Sequence, residues 1–220
     1  METKELSEKI RELIDESKSV EKDLVSFLEQ ELNKIIKYYE KTESFIRELV
    51  NDLLETIRMA LSSKETRDIE QILSRSAHVM LESVKKAVYD ALEEARKAAE
   101  KARERLDRAV EKTLDMDKIE EDVKKDLDDA YRELLEKLKT GKARLREAQK
   151  ALEEFRERNA GKLEGKAEEE LKEAVDKARK YVQGFEEETR EHLEKLVQHS
   201  NDKVDSWLKQ MGKKAEEENK

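Results

Sequence analysis

Between Val20 and Leu61, apolar residues recur at alternating steps of three and four, and no other feature of the chain limits its folding so tightly. Val25, Leu28, Leu32, Ile35, Tyr39, Thr42, Ile46, Leu49, Leu53, Thr56 and Ala60 form the series. That spacing puts them on one side of an α-helix. Leu24, Ile36, Phe45, Val50, Leu54, Ile57 and Leu61 broaden the seam beyond what a single neighbour covers, so the segment belongs inside a bundle or against a large apolar surface. The 220 residues include no proline and five glycines, which removes the strongest helix breakers and predicts an all-α protein. Only 36% of residues are hydrophobic, many of them alanine. Such a chain has area for one stripe per helix but not for a thick core.

Leu6, Ile10, Leu13 and Ile14 begin a short amphipathic stretch whose phase runs on through Ser17 and Val20. Residues 4–61 are therefore either one rod or a short helix hinged near Ser17–Ser19. Ser62 with Glu65 matches a capping box, which starts the next helix over about 64–114. Here Leu73, Ala77, Met80, Val84, Val88, Ala91, Ala95, Ala99, Ala102, Leu106, Val110 and Thr113 follow steps of four, three and four. This eleven-residue period, about 3.67 residues per turn, keeps a stripe straight or slightly right-handed. From Ala87 to Ala102 the buried side is nearly all alanine, so bulk there must come from the partner.

Asp117 with Glu120 offers a second capping box, with a turn at 115–117. The third long helix carries Leu127, Tyr131, Leu134, Leu138, Leu145, Ala148, Leu152 and Phe155. Gly141 falls on this stripe without disturbing its phase and reads as a tolerated glycine or a kink, at about 1 kcal/mol against alanine; a loop at Thr140–Gly141 is the lesser alternative. Asn159, Ala160 and Gly161 form a C-cap signal, and 159–165 read as a loop. The last helix carries Ala167, Leu171, Ala174, Ala178, Val182, Phe185, Thr189, Leu193, Leu196, Ser200, Val204, Trp207 and Met211, followed by a charged tail, 213–220, that frays. Four helices of about 42 to 52 residues on short turns predict one elongated antiparallel bundle domain over 1–220. A short N-terminal helix, or a homodimer sharing long helices, are variants of the same reading.

The chemistry-bearing residues form no catalytic, cofactor or metal constellation. His192 and His199 lie two turns apart with Glu188 one turn before His192, but the positions three residues before the histidines are Arg75, Thr189 and Leu196, not the acids a helical di-iron site needs. Surface or boundary histidines are the better reading. Asp128 with Asp129, and Glu186–Glu188, lack a companion nucleophile or histidine and read as solvated faces. Glu93 with Lys97, Glu104 with Arg108, Glu133 with Lys137 and Glu154 with Arg158 have the order that supports a helix. Gly161 and Gly165 sit among Lys162, Glu164 and Lys166, a loop context, not a membrane-helix one. No enzyme is expected. A net charge of −9 argues against nucleic acid as a partner. The absence of cysteine excludes disulfides and thiol chemistry. The charged start METKELSEKIRELIDESK lacks a signal peptide's apolar core, and no window approaches eighteen uncharged apolar residues, so a cytoplasmic chain without a transmembrane segment is expected.

The residues expected to carry function are those of the apolar faces: Leu28, Ile35, Tyr39, Ile46, Leu53, Val84, Val88, Leu106, Phe185, Leu193 and Trp207. Trp207 suits either a packed core or a lipid interface. The run ALEEARKAAEKARERLDRAVEKTL, residues 91–114, resembles the helices of insect apolipophorins and related exchangeable apolipoproteins. Residues 48–95, ELVNDLLETIRMALSSKETRDIEQILSRSAHVMLESVKKAVYDALEEA, resemble the central part of bacterial phasins: an apolar helix, a Ser/Lys/acidic turn at Ala60–Asp68, then an amphipathic helix. The resemblances imply a non-catalytic protein that reversibly coats a lipid or storage-polymer surface. The alternative is a self-contained bundle or coiled-coil scaffold whose stripes satisfy one another and which binds protein partners. Designed bundles share the Lys/Glu richness and lack of cysteine, but the irregular caps and Gly141 within a stripe speak against design.

Overall fold

The computed structural model of the chain describes residues 3–38, 43–63, 69–113, 119–161, 165–198 and 206. Among them are six helices and no strand: α1 (Thr3–Glu16), α2 (Val20–Tyr38), α3 (Glu43–Ser62), α4 (Ile69–Thr113), α5 (Glu121–Arg158) and α6 (Lys166–Gln198). The all-α expectation holds. The number of helices does not, because the stretch read as one rod or a hinged pair is three helices.

Two breaks divide it. At the first, Ser17 holds the chain in a turn: its hydroxyl accepts the Ser19 amide at 2.9 Å and donates to Asp23 Oδ2 at 2.5 Å. Such local bonds let serine compete with the helical ladder, so the hinge reading of Ser17–Ser19 is the correct one. The second separates Tyr38 from Glu43; residues 39–42 lie outside those described. Periodicity could not reveal it, since Tyr39 and Thr42 continue the phase of the seam. Ser62 also differs from its expected role. It is the last residue of α3, where its hydroxyl donates to Arg58 O at 2.7 Å, and Ser63 does the same to Ala60 O at 2.6 Å. The serine pair closes α3 instead of capping α4, which begins at Ile69.

Further along, the readings of α5 and its end agree with the structure. Helix α5 passes through a buried Gly141 without interruption. It ends at Arg158, where the Asn159 side chain donates to Phe155 O at 2.8 Å. Gly161 (φ 74°) and Gly165 (φ 60°) take left-handed conformations that side chains disfavour. The second capping box falls on a described Glu120 just before α5, while Asp117 and the turn at 115–117 lie outside the described residues.

The contacts group into two compact units. Unit 1 comprises residues 1–89 and 142–183, and unit 2 comprises 90–141 and 184–220. Within unit 1, α1 packs on α3 and α2, and Thr56 of α3 donates to Ser7 of α1 at 3.3 Å. Arg75 of α4 pairs with Glu21 of α2. Ser74 of α4 donates to Ala167 O of α6 at 2.8 Å, and Tyr181 of α6 donates to Glu82 of α4 at 2.5 Å. Arg179 of α6 reaches Glu153 of α5 at 2.7 Å, and Glu154 of α5 takes Arg47 of α3. These contacts link α2 to α4, α4 to α6, α6 to α5 and α5 to α3, and the core of the unit holds Leu, Ile and Val side chains together with Phe155. Within unit 2, Ala102, Leu106 and Val110 of α4 cluster with Ile119 and Leu127, and Arg105 pairs with Asp126 across the α4–α5 connection.

Candidate functional site

The apolar faces are the only concentration of like chemistry that the sequence singled out, and the structure places most of them. Leu28 and Ile35 of α2, Ile46 and Leu53 of α3, and Val84 and Val88 of α4 are all buried in unit 1. Leu106 and Phe185 are buried in unit 2. Leu193 belongs to α6, but its side chain, like Tyr39 and Trp207, lies outside the described residues. The eleven-residue stripe of α4 is buried from Leu73 to Val110 apart from a half-buried Ala91. Among the described residues, the exposed large hydrophobic is Met59, at 62%. The described stripe residues are covered by other parts of the same chain.

Val25, a member of the first seam, is only half-buried because it lines an open groove of about 740 Å³ in unit 1, together with Lys18, Lys22, Glu29, Ile72 and Arg75. The mixed charge of that lining, with Arg75 already engaged by Glu21, selects no ligand.

Charge lies along the edges of the packed faces. Between α3 and α5, Glu154 accepts from Arg47 and from Asn51 Nδ2 at 3.3 Å, while Arg158 donates to Asn51 Oδ1 at 2.7 Å. Desolvation pushes the Glu154 carboxyl up, yet the bonds from Arg47 and Asn51 outweigh it and leave its pKa below the usual value. Because this carboxylate goes to α3, the pairing expected between Glu154 and Arg158 is replaced: Arg158 Nε donates to the Glu154 backbone carbonyl at 3.3 Å. Likewise Arg108 Nε takes the Glu104 carbonyl at 3.1 Å. Glu93 does pair with Lys97 at 3.4 Å, and more closely with Arg96 at 2.8 Å, which lowers the Glu93 pKa. On α6, burial and the bond to Glu82 raise the Tyr181 hydroxyl pKa, opposed by Lys85, whose Nζ sits 4.0 Å above the ring.

No protein-family model and no curated protein matches the chain.

The phasin and apolipoprotein resemblances therefore rest on the residues that suggested them. His78 of α4 is half-buried with Nε2 3.0 Å from Glu170 O of α6, a bond made by the tautomer protonated at Nε2. The His192 side chain and His199 lie outside the described residues. Asp128 pairs with Arg132 at 3.3 Å, and Glu187 and Glu188 are exposed. Among the described residues no group of three or more His, Asp or Glu side chains could hold a metal ion, and no helix is long and apolar enough to cross a membrane.

Reading the apolar pattern missed the buried serines Ser74, Ser76 and Ser83, and it named Thr56 and Asn159 without their burial as bonding groups. Ser76 returns its hydroxyl to Ile72 O at 2.8 Å, which lets a polar side chain sit in the core without an unmet bond. A signal was present. Ser76 and Ser83 are two turns apart on a helix whose exposed positions are almost all Lys, Arg or Glu, so an uncharged small residue marks the inward side.

Proposed function

We propose that this chain is a non-catalytic helical scaffold whose apolar faces are satisfied by one another and whose charged exterior is what protein partners meet. One observation carries the reading. The candidate apolar residues of α2, α3 and α4 that the structure describes are buried within the chain's own units, so among the described residues little apolar area is left to hold a standing coat on a lipid or polymer surface. The alternation of α3 to α6 through short connections supports an antiparallel bundle as the form of this scaffold.

A reversible coat is the second reading, and a specific feature favours it. The buried side of α4 thins to Ala95, Ala99 and Ala102, so closure there gains less over another apolar surface than Leu-rich packing would. Such a protein would open and lay its faces on lipid or on a storage polyester.

Flotation decides between the two. The full chain is incubated with phosphatidylcholine vesicles or a polyester emulsion, and Trp207 emission is followed with recovery in the floating fraction. The scaffold predicts no co-flotation, unchanged emission, and a melt insensitive to vesicles. Co-flotation with a blue shift would overturn it in favour of the coat. Sedimentation across a concentration series then separates a monomer from a dimer that shares helices.

A further inference from the structure

The described residues of unit 2 come from stretches of α4, α5 and α6, without the three further helices of unit 1, and its α4 seam narrows to three successive alanines. Along α4, Ala95, Ala99 and Ala102 fill the buried seam between Leu92 and Leu106, and each methyl removes far less area from water than the Leu, Ile and Phe side chains of unit 1. Charge flanks the same stretch. Arg96, Arg103 and Asp107 keep only 28%, 16% and 27% of their side chains exposed, a partial desolvation that their mutual and local ion pairs only offset.

Gly184 is an independent sign. It is the first residue of unit 2 in α6 and lies inside a continuous helix, yet a Cβ built there would meet nothing within 4 Å. No turn, close approach or positive φ calls for glycine. Its physical effect is to weaken the helix. In α5, unit 2 likewise ends on a helical glycine, Gly141.

We propose that unit 2 is a built-in opening segment: residues 90–113, 119–141 and 184–198 give up their packing together, at a stress that leaves unit 1 folded, with α6 yielding at Gly184 and α5 at Gly141. Cooperative sub-global openings of this kind start where buried apolar contact is least. The proposal does not depend on whether the partner is a protein or an apolar surface.

Hydrogen exchange read by mass spectrometry on the full chain, with no lipid present, tests it. Amides of 90–113, 119–141 and 184–198 are expected to exchange as one group, about 100-fold or more faster than those of 69–89, 142–158 and 166–183. Gly184→Ala should slow the unit 2 group about fivefold and leave unit 1 unchanged. Equal protection on the two sides of Tyr89 in α4 would overturn the proposal. So would three unit 2 stretches exchanging independently, or a Gly184→Ala variant that slows both units alike or neither.

Discussion

Helices α4, α5 and α6 each contribute one stretch to unit 1 and another to unit 2, so the two units compare different fillings of the same backbone. In unit 1 their stripes interleave alanines such as Ala77, Ala148, Ala174 and Ala178 with Leu73, Met80, Val84, Leu145, Leu152, Phe155, Leu171 and Val182, and three further helices add Leu and Ile. In unit 2 the α4 seam carries Ala95, Ala99 and Ala102 in succession before Leu106 and Val110, and α5 and α6 add Leu127, Leu134, Leu138 and Phe185 without a contribution from α1, α2 or α3. Helix propensity favours the alanine stretch, since alanine is the best helix former. Packing favours the other. Secondary structure and tertiary stability are therefore separable here: a helix can be continuous over 45 residues while the free energy that holds it against its neighbours changes along its length.

The largest effect expected from a single substitution lies in unit 1. Phe155 is fully buried, and Phe155→Ala should cost about 3–5 kcal/mol through lost transfer energy and a cavity that the surrounding side chains only partly collapse. Denaturant titration by circular dichroism would show it as a lower midpoint for the unit 1 transition. Leu106→Ala in unit 2 should cost about 2–3 kcal/mol, nearer the low end for such changes, because Ala102, Ala109 and Ala130 in its cluster offer fewer contacts to lose than larger side chains would. Its effect should appear as faster exchange in 90–113 and 119–141. A Leu106→Ala variant that shifts the unit 1 midpoint as far as Phe155→Ala does would remove the distinction between the units.

A smaller effect separates polar from apolar specification. Ser74 is buried, and its bond to Ala167 O ties α4 to the first turn of α6. Ser74→Ala should cost about 1 kcal/mol, measured as a shift of the same midpoint. No change in that midpoint would mean that the α4–α6 contact is held by Ala77, Leu171 and their neighbours alone.

How much of this could be read beforehand depended on what each feature writes into the chain. A buried face repeats every turn, so the stripes from Leu73 to Val110 and from Leu127 to Phe155 were legible residue by residue. The end of α5 at Asn159–Gly161 and the turn residue Gly165 were legible because glycine at a positive φ leaves a compositional mark, while residues 162–164 of the expected loop lie outside the described residues. The break after Tyr38 leaves no such mark: no glycine or proline occurs in residues 38–43, and the seam keeps its phase. Ser62 and Glu65 had the letters of a capping box, but a serine hydroxyl serves equally to close a helix by bonding the carbonyl four residues back. For the candidate site, the sequence identified which faces are buried. It could not say what buries them, because the same pattern suits a helix of the chain, a second copy or a lipid surface.

Acid sharpens the comparison by a final, smaller step, since two carboxylates, one in each unit, differ in what they join. Glu154 bridges α5 to α3, whereas Glu93 pairs with Arg96 and Lys97 on its own helix. Both carboxyls titrate below the ordinary 4.5 in the folded chain. A depressed folded pKa means that the unfolded chain binds protons first as pH falls, so the stabilisation is complete above pH 4.5 and disappears as pH drops through the folded values. Both carboxylates are substantially solvated, so each contribution is modest. Glu154→Gln should lower the unit 1 midpoint at pH 7 and converge with the wild type near pH 3, because the protonated wild type has lost the same charge. Glu93→Gln should change the unit 1 midpoint at neither pH, since its partners lie within one turn on the unit 2 stretch of α4. If the Glu154→Gln and wild-type midpoints run parallel from pH 7 to pH 3, the α3–α5 bridge contributes shape without measurable charge stabilisation, and unit 1 then exceeds unit 2 by apolar packing alone.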